Sequence, residues 1–195
     1  IPDIPSEESE FSVDFDKLNR INNDAVGWIV MEGTQVNYPI VQGKNNSYYL
    51  NHSYEKKYSS FGSIFLDYSS SSNFSDRNSF IYGHHTRNGS MFGELKKYMN
   101  ESFLNEHSSF YLYTPDGNYK ANIFSVYTAD ALSDSYNQSF VSQEDFKLYI
   151  DLIKSKSRFS IDIDVNYESD RIITLYSCSH ESRSEYDRYF IHAVL

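Results

Sequence analysis

Short runs of apolar and aromatic residues recur along this chain, each closed off by glycine, proline, asparagine, serine or charged residues. They occupy residues 27–31, 36–41, 63–67, 79–82, 110–113, 119–127, 171–176 and 189–194. β-Branched and aromatic side chains suit a pleated, half-buried surface, so each run predicts a strand. Thr114-Pro115-Asp116-Gly117 predicts a hairpin turn between two of them. Pro39 cannot donate to a ladder, which marks its strand as an edge or a bulge. About seven or eight short strands at this spacing fit a closed or nearly closed β-barrel. A chain of 195 residues can bury a real core as one domain.

The apolar period lengthens from two to about 3.6 in a few places. Phe11, Phe15, Leu18 and Ile21 share one helical face near the start. Met91, Phe92, Leu95 and Met99 predict a helix over residues 89–99, extended by a short one over 101–106. Phe146, Tyr149, Ile150 and Ile153 predict another over 142–155, with Ser142 as N-cap and Asp145 in a weak capping box. Residues 45–58 read as a short helix plus loop, and the Ser/Asn-rich stretch 68–78 as a surface loop. Residues 1–10, with two prolines and several acids, read as a flexible lead-in to a domain over 11–195. The fold class is therefore mainly β with added helices. No internal repeat and no glycine-rich phosphate loop is present.

Charge and cysteine content remove several functions. Lys and Arg total 17 against 27 Asp and Glu, a net charge of −10. Such a chain lacks the basic footprint of a nucleic-acid binder or of an anionic-lipid surface. Aromatics at 17 % argue against disorder. The longest apolar run, residues 25–31, falls far short of the ~20 residues that cross a bilayer, and no signal peptide is visible. A single cysteine, Cys178, excludes an internal disulfide and a Cys-based zinc cluster.

That cysteine stands just past an apolar strand and before a polar stretch, where a rigid scaffold presents side chains to a cleft. A filler cysteine belongs inside the strand. His84 likewise follows a strand, in Tyr82-Gly83-His84-His85. Adjacent histidines in extended chain point to opposite faces, so at most one of His84 and His85 faces a given cleft. Arg188 opens the final strand, ten positions after Cys178. Thiol attack needs a general acid or base and a positive group for the oxyanion, and Cys178, His84 and Arg188 supply these roles. The plainer alternatives are a buried thiol, a solvated loop histidine and a surface ion pair of Arg188 with Asp187 or Glu185. His52, His107, His180 and His192 add metal donors, but no HExxH or HxxxH spacing occurs and no metal or cofactor is predicted.

Thr174-Leu175-Tyr176-Ser177-Cys178 resembles the T-L-x-T-C signature of sortases, with Ser177 in place of the usual threonine. Arg188 in the next strand matches that family's essential arginine. Tyr82-Gly83-His84-His85 followed by Gly89-Ser90-Met91-Phe92-Gly93-Glu94-Leu95 is similar to the catalytic-histidine region of class B sortases, as is Gly62-Ser63-Ile64-Phe65-Leu66-Asp67-Tyr68. The helix at the N-terminus and the helix before the cysteine strand look like class B additions. The resemblance covers the chain after about Phe11 and implies an eight-stranded barrel. It implies a cysteine transpeptidase that cleaves the sorting signal of a surface protein after a threonine, forms a thioacyl-enzyme and passes the acyl group to a cell-wall amine. Cys178 is then the nucleophile, His84 the acid/base and Arg188 the oxyanion or substrate partner. Leu175, Tyr176 and Ser177 become candidates for substrate contact. The implied partners are sorting-signal peptides and a cell-wall precursor amine. The implied place is the outer face of a Gram-positive membrane, through an N-terminal anchor missing from a chain that begins at Ile1.

Two other function classes share parts of this pattern. A hydrolytic cysteine peptidase would use the same Cys178, His84 and Arg188 without an acceptor amine. A non-catalytic β-sheet binding module fits the tyrosine content. Calcium binding by Asp162, Asp164, Glu168 and Asp170 lacks the EF-hand glycine and terminal glutamate, and the run reads as a solvated loop.

Overall fold

Alternation along each strand sorts the side chains to two faces, the inner one buried and the outer one covered in part. The computed structural model describes residues 11–130, 133–178 and 187–195, with Cys178 and Asp187 as backbone only. The strands are β1 (Ala25–Val30), β2 (Asn37–Val41), β3 (Ile64–Leu66), β4 (Asn78–Gly83), β5 (Ser109–Thr114), β6 (Gly117–Asp130), β7 (Ile172–Cys178) and β8 (Asp187–Val194). They close a barrel in the order β1-β2-β3-β4-β7-β8-β6-β5. β2 with β3 and β4 with β7 run parallel, and the remaining pairs are antiparallel. Closure leaves no open edge in the sheet. The predicted barrel of eight short strands is what the chain forms.

Inside the barrel lie Ile29, Ile40, Ile64, Ile81, Leu112, Ile123, Ile173, Leu175, Tyr189 and Ile191, all buried. A second apolar cluster covers part of the outer surface. Phe80, Phe124, Ile172 and Phe190 meet Phe146, Tyr149, Ile150 and Ile153 of α3 (Gln143–Lys156) there. Each such burial contributes roughly 1.5–3 kcal/mol before entropy is counted. Ser142 caps α3 by accepting from the Asp145 amide at 3.1 Å, while Asp145 Oδ2 accepts from the Val141 amide at 3.1 Å. Asp145 thus returns a bond one residue before the N-cap. Short helices α1 (Phe15–Ile21) and α2 (Glu101–Glu106) start at Asp14 and Asn100, each accepting from a backbone amide within the first turn.

The segment 89–99 departs from its predicted helix. Gly89 has φ +84° and Met91 φ +52°, both left-handed, and Met91 bridges back to His85. A helix cannot pass through such residues. Only Leu95–Met99 winds, as a 3₁₀ turn. Met91 is half-buried, while Phe92 and Leu95 reach the core without a shared helical face. In residues 45–58 only Tyr48–Leu50 is helical, again 3₁₀. The expected lead-in, residues 1–10, lies outside the described residues.

Candidate active site

β7 is flanked by β4 on one side and β8 on the other. The parallel β4–β7 ladder ends at Gly83↔Ser177, so His84 and Cys178 stand one residue further along each chain. The antiparallel β7–β8 ladder pairs Cys178 with Arg188. Parity places the three backbone positions on one face. Ile173 and Leu175 face the interior, as do Ile81 on β4 and Tyr189 on β8. Tyr82, Tyr176 and Phe190 face outward, and positions 84, 178 and 188 share their parity. Cys178 is the last residue of β7 and Arg188 the second of β8, so both lie within the strands rather than just beyond or at their openings.

Gly83 sets the end of β4. A Cβ there would lie 2.5 Å from Ile64 Cδ1 and 2.7 Å from the Phe92 ring, so only glycine lets the strand close against the core. Beyond it the chain doubles back. The Phe92 amide donates to the His84 carbonyl at 3.0 Å, and Thr86 Oγ1 donates to the Ser90 carbonyl at 2.5 Å.

The two adjacent histidines diverge. His84 is half-buried, and its Nε2 lies 2.6 Å from the Leu50 carbonyl. A carbonyl only accepts, so Nε2 carries the proton and Nδ1 is the nitrogen that can exchange one. His85 turns the other way and stacks on Tyr189 at 5.6 Å between ring centroids.

An aromatic platform underlies this face. Tyr176 meets Tyr82 edge-on at 5.3 Å and Phe190 at 5.1 Å. The Arg188 guanidinium carbon lies 6.0 Å from the Tyr176 ring centroid, within cation–π reach. Tyr82 Oη donates to Asp67 Oδ2 at 2.6 Å. Burial and the Asp67 carboxylate beside it push the Tyr82 phenol far above its usual range, so it stays protonated. Tyr136, in the connection between β6 and α3, also donates to Asp67, at 3.0 Å.

The three residues predicted to touch substrate separate here. Leu175 and Ser177 are buried, and Leu175 belongs to the interior core, so that side chain is directed away from the shared face. Tyr176 alone of the three is half-exposed and on that face. Of the other histidines, His52 stacks on Tyr48, His107 packs under Gly33 and against Phe103, and His192 is fully buried. His180 lies outside the described residues. Among the described residues no group of three or more His, Cys, Asp or Glu converges to hold a metal ion. Asp170, from the acidic run, instead closes a turn by accepting from the Asn166 amide at 2.8 Å. No described helix is long and apolar enough to cross a membrane.

Comparison with known proteins gives one consistent set of relatives. Residues 29–195 match the sortase domain family. Sortase B of Listeria monocytogenes is 38 % identical over 180 residues, covering 91 % of this chain and 72 % of that protein. Sortase B of Staphylococcus aureus is 35 % identical over 164 residues, covering 84 % and 67 %. The fold is similar to a Staphylococcus aureus sortase B–substrate complex, with a TM-score of 0.86 and 33 % identity over 93 % of this chain and 84 % of that one. Clostridium perfringens sortase B superposes with a TM-score of 0.86 at 38 % identity, over 92 % of this chain and 98 % of that one.

Proposed function

This chain belongs to the sortase family of cysteine transpeptidases, and on that premise we propose that Cys178, His84 and Arg188 form its catalytic centre. The observation that carries the assignment is the register: β4, β7 and β8 bring these positions side by side on one face.

The chemistry then follows from the residue types. The Cys178 thiol passes its proton to His84 Nδ1 as the sulfur attacks the carbonyl carbon of the sorting signal's threonine, and the C–N bond to the next residue breaks. Arg188 sits where the carbonyl oxygen gains charge, and its fixed fork of N–H donors stabilises that oxyanion. His84 gives a proton from Nδ1 to the departing amine. A thioester links substrate to enzyme. An amine on a cell-wall precursor attacks the thioester, loses its proton to His84 and leaves with the acyl group, which regenerates the thiol. Two half-reactions share this covalent intermediate. Tyr176 is the side chain of its segment placed to meet the peptide. The reading places the enzyme at the outer face of the cell membrane, tethered there by a membrane anchor.

A panel of sorting-motif peptides tests the reading. Incubation should yield an acyl-enzyme visible by mass on Cys178. Added amine should convert that species to transfer product faster than water hydrolyses it. Cleavage unchanged by any amine would instead favour a hydrolytic peptidase, and no acyl-enzyme with any peptide would overturn the assignment.

A further inference from the structure

Asp67 follows β3 directly and is 1 % exposed. Its carboxylate accepts five hydrogen bonds. Oδ1 takes the Ser69 amide at 2.9 Å and the Ser69 hydroxyl at 2.6 Å. Oδ2 takes Asn46 Nδ2 at 2.8 Å, Tyr82 Oη at 2.6 Å and Tyr136 Oη at 3.0 Å. Among the described residues no cation pairs with it. A carboxylate buried without a counter-ion carries a large desolvation cost, and neutral donors must offset it. Burial alone would raise its pKa. The bonds from Ser69, Tyr82 and Asn46 outweigh burial and hold the group below the usual carboxylate range. It is charged wherever the protein is folded near neutrality.

Apart from Ser69, two residues away, the donors come from three separate parts of the chain. Asn46 lies in the β2–β3 connection, which also carries Leu50, whose carbonyl holds His84 Nε2 at 2.6 Å. Tyr136 lies in the β6–α3 connection, and its ring packs on Phe80 at 4.6 Å and Tyr176 at 6.2 Å. Tyr82 lies between them on β4, two residues before His84 and edge-on to Tyr176. One carboxylate therefore ties both connections to the strand that leads into the histidine.

We propose that Asp67 is a positioning residue for the transpeptidation: its carboxylate fixes the β2–β3 and β6–α3 connections as the two walls of the peptide cleft over Tyr176. This rests on the catalytic face proposed above. A buried filler at this position would need neither a charge nor donors from both connections. Loss of the charge loosens both walls at once, so the effect falls on peptide binding. Cys178 is on another strand, β7, so its alkylation is expected to be unaffected.

The test uses the full chain and the best-cleaved peptide of the sorting-motif panel. Asp67→Asn keeps the shape and removes the charge. KM should rise roughly 10–100-fold, with kcat within about threefold and the rate of Cys178 alkylation by iodoacetamide near wild type. Tyr136→Phe removes one donor and should raise KM less, and the double variant should be no worse than Asp67→Asn alone. If Asp67→Asn does not fold, Tyr136→Phe and Tyr82→Phe carry the test, each expected to raise KM at unchanged alkylation rate. Wild-type KM in the folded variants, or a fall in kcat and alkylation that tracks Tm, overturns the proposal. Cys178→Ala separates the two readings. If that variant is inactive while Asp67→Asn cleaves normally, only the role of Asp67 falls; if Cys178→Ala still cleaves, the catalytic face itself falls.

Discussion

Cys178, the last residue of β7, is paired in register with Arg188 of β8. Directly opposed residues of an antiparallel pair share one face of the sheet, with their Cβ atoms roughly 4.5–5.5 Å apart. The ten-residue separation in sequence is therefore closed by strand pairing rather than by a flexible loop. Arginine brings to that position a planar fork that is always charged, which lysine cannot copy.

Arg188→Lys should accordingly lose roughly 10²–10³ in kcat/KM for peptide cleavage. Its Tm should stay near wild type, because lysine keeps a positive charge within reach of the Tyr176 ring. Arg20→Lys, in the exposed last turn of α1, serves as the control and should be silent. Normal cleavage by Arg188→Lys would reduce the site to a Cys–His pair.

The divergence of His84 and His85 gives a second test. His84→Ala should cost on the order of 10²–10⁴ in kcat, the usual scale for a lost proton donor. His85→Ala should act mainly on stability, through its stacking on Tyr189. Comparison of kcat with Tm for the two variants decides it, and the reverse pattern would move the acid/base role to His85.

Much of this architecture was legible in the chain because it rests on local pattern. All eight strands fall on the short apolar runs, and the buried face of α3 is the predicted Phe146, Tyr149, Ile150 and Ile153. Residues 89–99 misled because Met91, Phe92, Leu95 and Met99 mimic helical spacing while Gly89 and Met91 hold positive φ. Spacing reports which residues are apolar, and not which backbone region they occupy. Strand order was illegible for a different reason. The parallel β4–β7 pairing joins segments almost a hundred residues apart, and no short-range signal encodes it. Leu175 and Ser177 looked like substrate contacts by their nearness in sequence to Cys178, yet alternation turns every second residue of β7 inward. Asp67 carried no signal beyond its place in a motif, since three of its five donors, from Asn46, Tyr82 and Tyr136, lie far from it in the chain.

Gly83→Ala should be damaging out of proportion to one methyl group. The added Cβ would press on Ile64 and the Phe92 ring at 2.5–2.7 Å. Overpacking of this kind costs about 1–3 kcal/mol, or roughly 2–4 °C of Tm per kcal/mol in a domain of this size. Because the relief lies in moving the end of β4, kcat should fall further than the Tm loss explains. A variant with wild-type Tm and kcat would show that β4 is not held by this contact.

His192 predicts an acid-sensitive stability. It is fully buried on β8, with Nδ1 2.9 Å from Thr174 Oγ1 and Nε2 2.9 Å from Tyr127 Oη. Asn78 Nδ2 donates to the Asn137 carbonyl at 2.8 Å, which turns Asn78 Oδ1 toward Thr174. The Thr174 hydroxyl donates to that oxygen at 2.7 Å and so must accept from His192 Nδ1–H. Nε2 is left to accept from Tyr127, and the ring is neutral. Burial first, and the nearby Lys156 charge second, push its pKa down to about 3 from the ordinary 6.5. Below 6.5 the unfolded chain takes up a proton that the folded chain refuses. The stability tied to this group is therefore whole above pH 6.5 and is lost as pH falls toward 3. Between pH 7 and pH 5 the loss amounts to about 2 kcal/mol. His192→Asn keeps a donor toward Thr174 and removes the titration. It should be less stable than wild type at pH 7, where Tyr127 loses its acceptor, yet lose less stability on going to pH 5. Urea denaturation of both proteins at the two pH values reads the difference, and parallel losses in wild type and variant would show that His192 does not govern it.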